Sequence, residues 1–318
     1  MRALRVEALA ADYAGCALRD IDTPKPGPGE VLVRIRAAAI NFPDLLQTQG
    51  LYQHKPDLPF TLGQEAAGEV VKVGEGASFK VGDAVVGRGG YADYAVMRDP
   101  RPIPPGVSFS QAAAFGVAYL TAYVALVRRG QAQAGEWLLV HGAAGGVGLA
   151  AVDLGKALGL KVIAAASAPQ KRAIIDADYA PDAVIDSAPG FKDLVKSITG
   201  GGADLIYDPV GGDVFDESVR CIAPNGRLLV VGFASGRIPT LPVNLALIKT
   251  FSVVGVRAGE FARQNPSQGA ENQDAIWGLL AARRLTPRVH AELPLDQWRQ
   301  GLGLLADRKV VGKVVLTP

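Results

Sequence analysis

Glycines 145 and 148 stand in the run His141-Gly142-Ala143-Ala144-Gly145-Gly146-Val147-Gly148, which joins an apolar stretch at 137–140 to an apolar-patterned one at 149–158. Their spacing keeps the last two glycines of G-x-G-x-x-G, with Ala143 in place of the first. Between a strand and a helix, such a turn brings the backbone of Ala144, Gly145, Gly146 and Val147 close to a pyrophosphate at the positive pole of the helix. A tight turn that holds no ligand would use the same glycines. About 20 residues on, the run 161–166 ends where a fold selective for NAD carries Asp or Glu against the ribose 2′-hydroxyl. No acid stands there. Ser167, Lys171 and Arg172 follow instead, a small hydroxyl and two cations able to pair with a 2′-phosphate. The chemistry expected is binding of NADPH, the ordinary alternative being a solvated helix start.

The elements that must position these residues repeat strand and helix. Six strand-like runs, at 137–140, 161–166, 183–185, 205–208, 227–232 and 252–256, predict an α/β fold with a doubly wound parallel sheet. This Rossmann-type dinucleotide-binding domain is expected over 118–256. Gly232-Phe233-Ala234-Ser235 follows the fifth run, at the end of the sheet where dinucleotides bind. Gly232, Phe233 and Ser235 therefore join the cofactor-binding set, with a glycine-led turn as the other reading. Residues 1–117 carry short β-rich runs at 31–37, 67–73 and 84–87 between Gly/Pro turns and predict a small barrel. Residues 257–318 carry helices near 272–284 and 295–308 and a last strand at 313–317, expected to rejoin the first region. The apolar strand 252–256 is expected to close one edge of the doubly wound sheet, which predicts a homodimer through that edge.

A length of 318 residues suits two domains. The formal charge of +2, with acids and bases interspersed, leaves no footprint for nucleic acid or a membrane surface. The longest apolar stretch, 112–127, is shorter than the roughly 20 residues a bilayer needs and reads as a buried helix. The first ten residues read as a strand, so a cytoplasmic address is expected, where the unpaired Cys16 and Cys221 are ordinary. His54, His141 and His290 have no partner at i+3 or i+4 and read as surface or hydrogen-bonded structural histidines. No metal is expected.

Further motifs carry a family resemblance over essentially the whole chain: Asn41-Phe42-Pro43-Asp44, Gly63-Gln64-Glu65-Ala66-Ala67-Gly68, Val81-Gly82-Asp83-Ala84-Val85, Leu120-Thr121-Ala122, Asp208-Pro209-Val210-Gly211-Gly212 and Gly312-Lys313-Val314. With the Gly145 loop, they resemble the zinc-independent medium-chain dehydrogenase/reductases, in particular the quinone oxidoreductase group that includes zeta-crystallin. The resemblance implies a GroES-like β-rich catalytic domain over 1–117, and a cleft between it and the dinucleotide-binding domain for cofactor and acceptor. It sets Asn41 and Gln64 where zinc-containing relatives carry Cys and His ligands. It also implies that Asn41 and Tyr52 lie beside nicotinamide and substrate as hydrogen-bond donors. Asn41 would otherwise cap the loop before Phe42-Pro43, Tyr52 would be a surface tyrosine, and Asp44 is expected to structure the loop or helix start rather than titrate in catalysis. Thr121 is implied near the nicotinamide or else bonds its own helix. Lys313 supplements the phosphate site or caps the final strand. Without a Lewis acid, hydride needs an acceptor that is already electron-poor. The expectation is NADPH-dependent reduction of a quinone; the alternative is reduction of a 2-alkenal or enoyl thioester, and a crystallin-like or RNA-binding role ranks last. One departure is Ser187, which falls where some resembling reductases carry a tyrosine near the adenosine phosphate. The mixed polarity of loop 53–57 identifies no particular acceptor.

Overall fold

In the computed structural model, which describes residues 1–318, the chain folds as two units: Met1–Gly116 with Pro287–Pro318, and Val117–Thr286. The first begins with β1 (Arg2–Val6), β2 (Cys16–Asp20), β3 (Glu30–Ala39), α1 (Phe42–Thr48), β4 (Phe60–Thr61), β5 (Ala66–Val73), β6 (Ala84–Gly87), β7 (Tyr94–Arg98), β8 (Arg101–Pro102) and α2 (Phe109–Ala113). Alternation explains β3, which turns Val31, Val33 and Ile35 inward and leaves Arg34 and Arg36 exposed.

The second unit adds α3 (Gly116–Tyr123), β9 (Trp137–Val140), α4 (Gly146–Ala157), β10 (Lys161–Ala165), α5 (Pro169–Tyr179), β11 (Ala183–Ile185), α6 (Phe191–Thr199), β12 (Ala203–Asp208), α7 (Gly212–Ser218), β13 (Ile222–Val230), α8 (Val243–Lys249), β14 (Ser252–Gly255), α9 (Ala258–Gln264) and α10 (Pro266–Ala281). The chain then returns to the first unit with β15 (Val289–Pro294), α11 (Trp298–Ala306) and β16 (Lys313–Thr317).

In the first unit β16 lies between β15 and β3, within a sheet ordered β15-β16-β3-β5-β6-β8, while β7 also pairs with β3. Leu4, Val33, Ile35, Val70 and Tyr91 pack there with Val314 and Leu316 and with Trp298 and Leu302 of α11. The second unit is the expected doubly wound sheet, all parallel, in the order β11-β10-β9-β12-β13-β14. Gly155 lets α4 press onto this sheet: a Cβ there would lie 2.8 Å from Leu138 Cδ2. No helix is long and apolar enough to cross a membrane.

Three features differ from the sequence reading. The second unit runs to Thr286, past the boundary at 256, because α10 buries Ile276, Trp277 and Leu280 and anchors Arg128, whose Nε donates to Asn272 Oδ1 at 2.7 Å. The stretch 112–127 is not one helix: Ser108 caps the short α2, α3 follows, and residues Val124–Arg129 form a wider π turn that closes at Gly130. The strand expected at 227–232 begins at Ile222, running through Pro224-Asn225-Gly226 although Asn225 has φ of 61°.

Asp153 of α4 holds both ends of the second unit. It accepts from Tyr119 Oη at 2.5 Å, shortly after the chain enters the unit, and from Thr286 N–H at 2.7 Å, where it leaves. Burial pushes its carboxyl up, against the pull of these two donors.

Candidate active site

β9 ends at Val140, and the glycine turn begins one residue later. Gly142 has φ of 57°, and Gly145 is the residue before α4, its N–H bonded to Gly142 O at 2.9 Å. The two fingerprint glycines differ physically. A Cβ on Gly148 would lie 2.2 Å from Gly142 O, so packing of the turn itself demands glycine; on Gly145 it would meet the same oxygen at 3.4 Å, an ordinary contact. Nothing within the protein requires Gly145, which fits a backbone face kept bare for close approach by a ligand. Ala144 is buried, whereas Gly145, Gly146 and Val147 are half-buried. His141 is fully buried below the turn. Ser218 Oγ donates to Val214 O and so accepts from His141 Nε2 at 2.8 Å, while burial drives the imidazole down to about 3 and keeps it neutral. It is the structural histidine expected.

At the end of β10, Ser167 is exposed and Lys171 and Arg172 occupy the first turn of α5. Arg172 is already engaged. Its Nη1 donates to Ala166 O at 2.9 Å, to Ser167 O at 2.8 Å and to Asp186 Oδ2 at 2.8 Å. The remaining N–H groups of the guanidinium are those it can turn to a phosphate.

The turns after β12 and β13 are built on Asp208, which stood in a motif without an assigned role. Its Oδ1 accepts from Val210 N–H at 2.8 Å and Gly211 N–H at 2.9 Å. Those turns then pair: Gly232 N–H reaches Asp208 O, Ala234 N–H reaches Pro209 O, and Ser235 N–H reaches Val210 O. Gly211 and Gly212 have φ of 67° and 59°, and a Cβ on the latter would lie 2.7 Å from Ser235 Oγ. Gly232, Phe233 and Ser235 are thus held at the carboxyl ends of the strands, the same side of the sheet as the glycine turn and the Arg172 turn. Thr121 in α3 donates its hydroxyl hydrogen to Val117 O at 2.7 Å, the intrahelical bond. Only its lone pairs are left for another group.

In the first unit, β3 ends against α1, β5 and β16, and a buried polar cluster forms there. Lys313 Nζ donates to Asn41 Oδ1 and, at 2.9 Å, to Glu65 Oε1; Asn41 Nδ2 donates to the same Glu65 oxygen at 3.0 Å and to Ala39 O at 3.3 Å. Asp44 reaches back to Asn41 N–H at 2.7 Å, accepts from Tyr91 Oη, and takes Gln64 Nε2 at 3.2 Å. The helix-start role expected of Asp44 is visible in the first of these bonds. Burial pushes its carboxyl up to about 6, although all three donors and the Lys313 charge pull the other way.

Two expectations change on this geometry. Both amide hydrogens of Asn41 are in use, so it offers no free donor. Lys313 is committed within the first unit, because β16 runs beside β3 and delivers its ammonium to Asn41 and Glu65. Tyr52 lies half-buried in the irregular loop after α1. Glu65 and Tyr91, both central to the cluster, carried no spacing signal. No three His, Cys, Asp or Glu side chains come together in a way that could hold a metal ion.

Residues 27–104 match the alcohol dehydrogenase GroES-like domain family, and residues 146–272 match the zinc-binding dehydrogenase family. The chain is 39% identical over 305 residues to the quinone oxidoreductase-like protein 2 homolog of Nematostella vectensis, covering 92% of this chain and 83% of that one. The chain belongs to the quinone oxidoreductase family. Solved structures agree on the quinone oxidoreductase fold across both units. A probable oxidoreductase from Mycobacterium abscessus superposes with a TM-score of 0.89 at 38% identity, over 100% of this chain and 99% of that one. The quinone oxidoreductase of Thermus thermophilus, also described in complex with NADPH, does so with a TM-score of 0.86 at 31% identity and full coverage of both chains.

Proposed function

We propose that this quinone oxidoreductase family member uses NADPH to reduce a quinone and needs no metal ion to do so. The observation that carries the reading is the buried trio Asn41, Glu65 and Lys313, in which an ammonium holds both the carboxylate and the amide of Asn41, the residue that the family resemblance sets at a ligand position of zinc-containing relatives. An amide and an ammonium are poor company for zinc. An acceptor that no Lewis acid polarises must be electron-poor by itself, as quinones and conjugated carbonyls are.

NADPH supplies the hydride; the residues supply position. The backbone of Ala144, Gly145, Gly146 and Val147 takes the pyrophosphate at the start of α4. Ser167, Lys171 and Arg172 take the 2′-phosphate. Gly232, Phe233 and Ser235, with the Thr121 hydroxyl oxygen, bound the nicotinamide end. Tyr52 donates to the oxygen that gains negative charge, and Asn41, fixed by Lys313 and Glu65, stands at the acceptor end. The Thermus thermophilus relative with NADPH supports the cofactor assignment.

Two further assignments belong to this reading. A second copy covers β14, which pairs only with β13 at the end of the sheet and stands beside an exposed apolar face. The address is cytoplasmic, in keeping with two free cysteines.

Following NADPH oxidation with a benzoquinone, a 2-alkenal and crotonyl-coenzyme A, in chelator-treated buffer with the uncatalysed quinone reaction subtracted, tests the function. Rapid turnover of the quinone is expected. Turnover of the alkenal or thioester with the quinone at background would move the activity to carbon–carbon double-bond reduction.

A further inference from the structure

Arg172 faces a fixed negative charge. Asp186 lies just after β11, and its Oδ2 takes Arg172 Nη1 at 2.8 Å while its Oδ1 accepts Ala188 N–H at 2.9 Å. The second bond ties the carboxylate into a turn of its own backbone, so Asp186 stays in place whether or not Arg172 does. The pair is partly open to solvent, with 23% of the Arg172 side chain and 49% of the Asp186 side chain exposed. Any dianion that Arg172 receives therefore arrives beside a carboxylate that has its own bond to the backbone.

We infer that Asp186 is a specificity-determining residue that holds down the preference for NADPH over NADH, by competing for Arg172 and by repelling the 2′-phosphate. The inference rests on the NADPH reading of the Ser167–Arg172 turn. Against a dianionic phosphate the Asp186 carboxylate offsets the charge of Arg172, and so weakens what the cations of the turn supply. A ribose carrying only a 2′-hydroxyl brings no charge for the carboxylate to repel, and its hydroxyl can donate to an acid or to an amide oxygen alike. Specificity built from an opposed attraction and repulsion is a difference of two interactions, and removing the repulsive one shifts it in a single direction.

Asp186→Asn is the informative change, because its side-chain oxygen can still accept Ala188 N–H and hold the turn, while the charge is gone and the amide nitrogen that faces Arg172 no longer competes for it. Binding of adenosine 2′,5′-bisphosphate and of 5′-AMP is measured by titration calorimetry on the wild type, Asp186→Asn and Lys171→Ala, at low and high salt. The bisphosphate is expected to bind Asp186→Asn about three- to tenfold more tightly than wild type at low salt, with the gain shrinking at high salt. 5′-AMP should be unchanged. A wild type that prefers the bisphosphate, and loses that preference in Lys171→Ala, upholds the NADPH reading. If in that case Asp186→Asn binds the bisphosphate no better than wild type, Asp186 is only a support for Arg172 and the inference falls alone. A wild type that binds both nucleotides equally, with Asp186→Asn doing the same, overturns the inference and the NADPH reading together. Equal binding in the wild type that turns into bisphosphate preference in Asp186→Asn supports the inference and makes the native chain a user of both cofactors.

Discussion

Asp44 has no exposed surface, and its carboxyl is pushed up to about 6 although three donors and the Lys313 charge favour the ionised form. The consequence for stability has a definite sign. Below about pH 4 the carboxyl is protonated in both folded and unfolded chains, since the unfolded value is about 3.9. Between about pH 4 and 6 the unfolded chain releases the proton while the folded one retains it, so stability due to Asp44 falls as pH rises. At about 1.4 kcal/mol per pH unit the loss is on the order of 3 kcal/mol by pH 6, and it levels off above. Urea denaturation of wild type and Asp44→Asn across this range should show the variant gaining on the wild type as pH rises. A constant difference between the two curves would mean that Asp44 stays ionised in the fold. This cluster was the least legible part of the chain. Asn41 and Asp44 are close in sequence and could be read as a helix start, but Glu65 and Lys313 meet only because β16 is laid beside β3. Arg172 was legible as a cation, whereas its neutralising partner lies after another helix and strand.

The strand-to-helix turn assigns different duties to two glycines of one fingerprint. Gly148→Ala places a methyl 2.2 Å from Gly142 O and forces the turn to move, which should destabilise the protein by about 1–3 kcal/mol. Gly145→Ala meets only an ordinary contact at 3.4 Å, so its melting temperature should stay close to wild type while its dissociation constant for NADPH rises about tenfold or more. Calorimetric melting and a cofactor titration on both variants separate the two. Intact NADPH affinity in Gly145→Ala would remove the pyrophosphate role from that residue. Elements were read best where a pattern was local. Apolar runs marked β9, β10 and β14 to within a residue, and alternation marked β3. Pro224-Asn225-Gly226 concealed the start of β13, because a turn signature there sits inside a strand that continues by bending. The stretch 112–127 failed differently: uniform apolarity says that a segment is buried but not where its helices break.

In the molecule as a whole, large apolar side chains stay exposed on α8 and on the edge strand β14. On α8, Val243, Leu247 and Ile248 are 81%, 79% and 70% exposed, and on the neighbouring edge strand β14 Val253 is 42% exposed. Light scattering should give twice the chain mass at micromolar concentration, and Leu247→Asp with Val253→Asp should give the chain mass alone with NADPH binding retained. A wild type that stays monomeric would leave this face for another partner. The expected boundary at 256 was drawn from the last strand of the sheet, which carries no information about α9 and α10 packing back on the same unit. Only 287–318 makes the return, and that late return has a cost during synthesis. The second unit is one uninterrupted segment, but the first lacks β16 until residues 313–317 emerge. At about 5–20 residues per second, the roughly 200 residues between Gly116 and Lys313 occupy a ribosome for about 10–40 s. Throughout that interval the nascent β3 edge at Ala38 and Ala39 stands unpaired, and Glu65 waits without its ammonium. A chain cut before Lys313 would leave Glu65 without the ammonium that answers its charge.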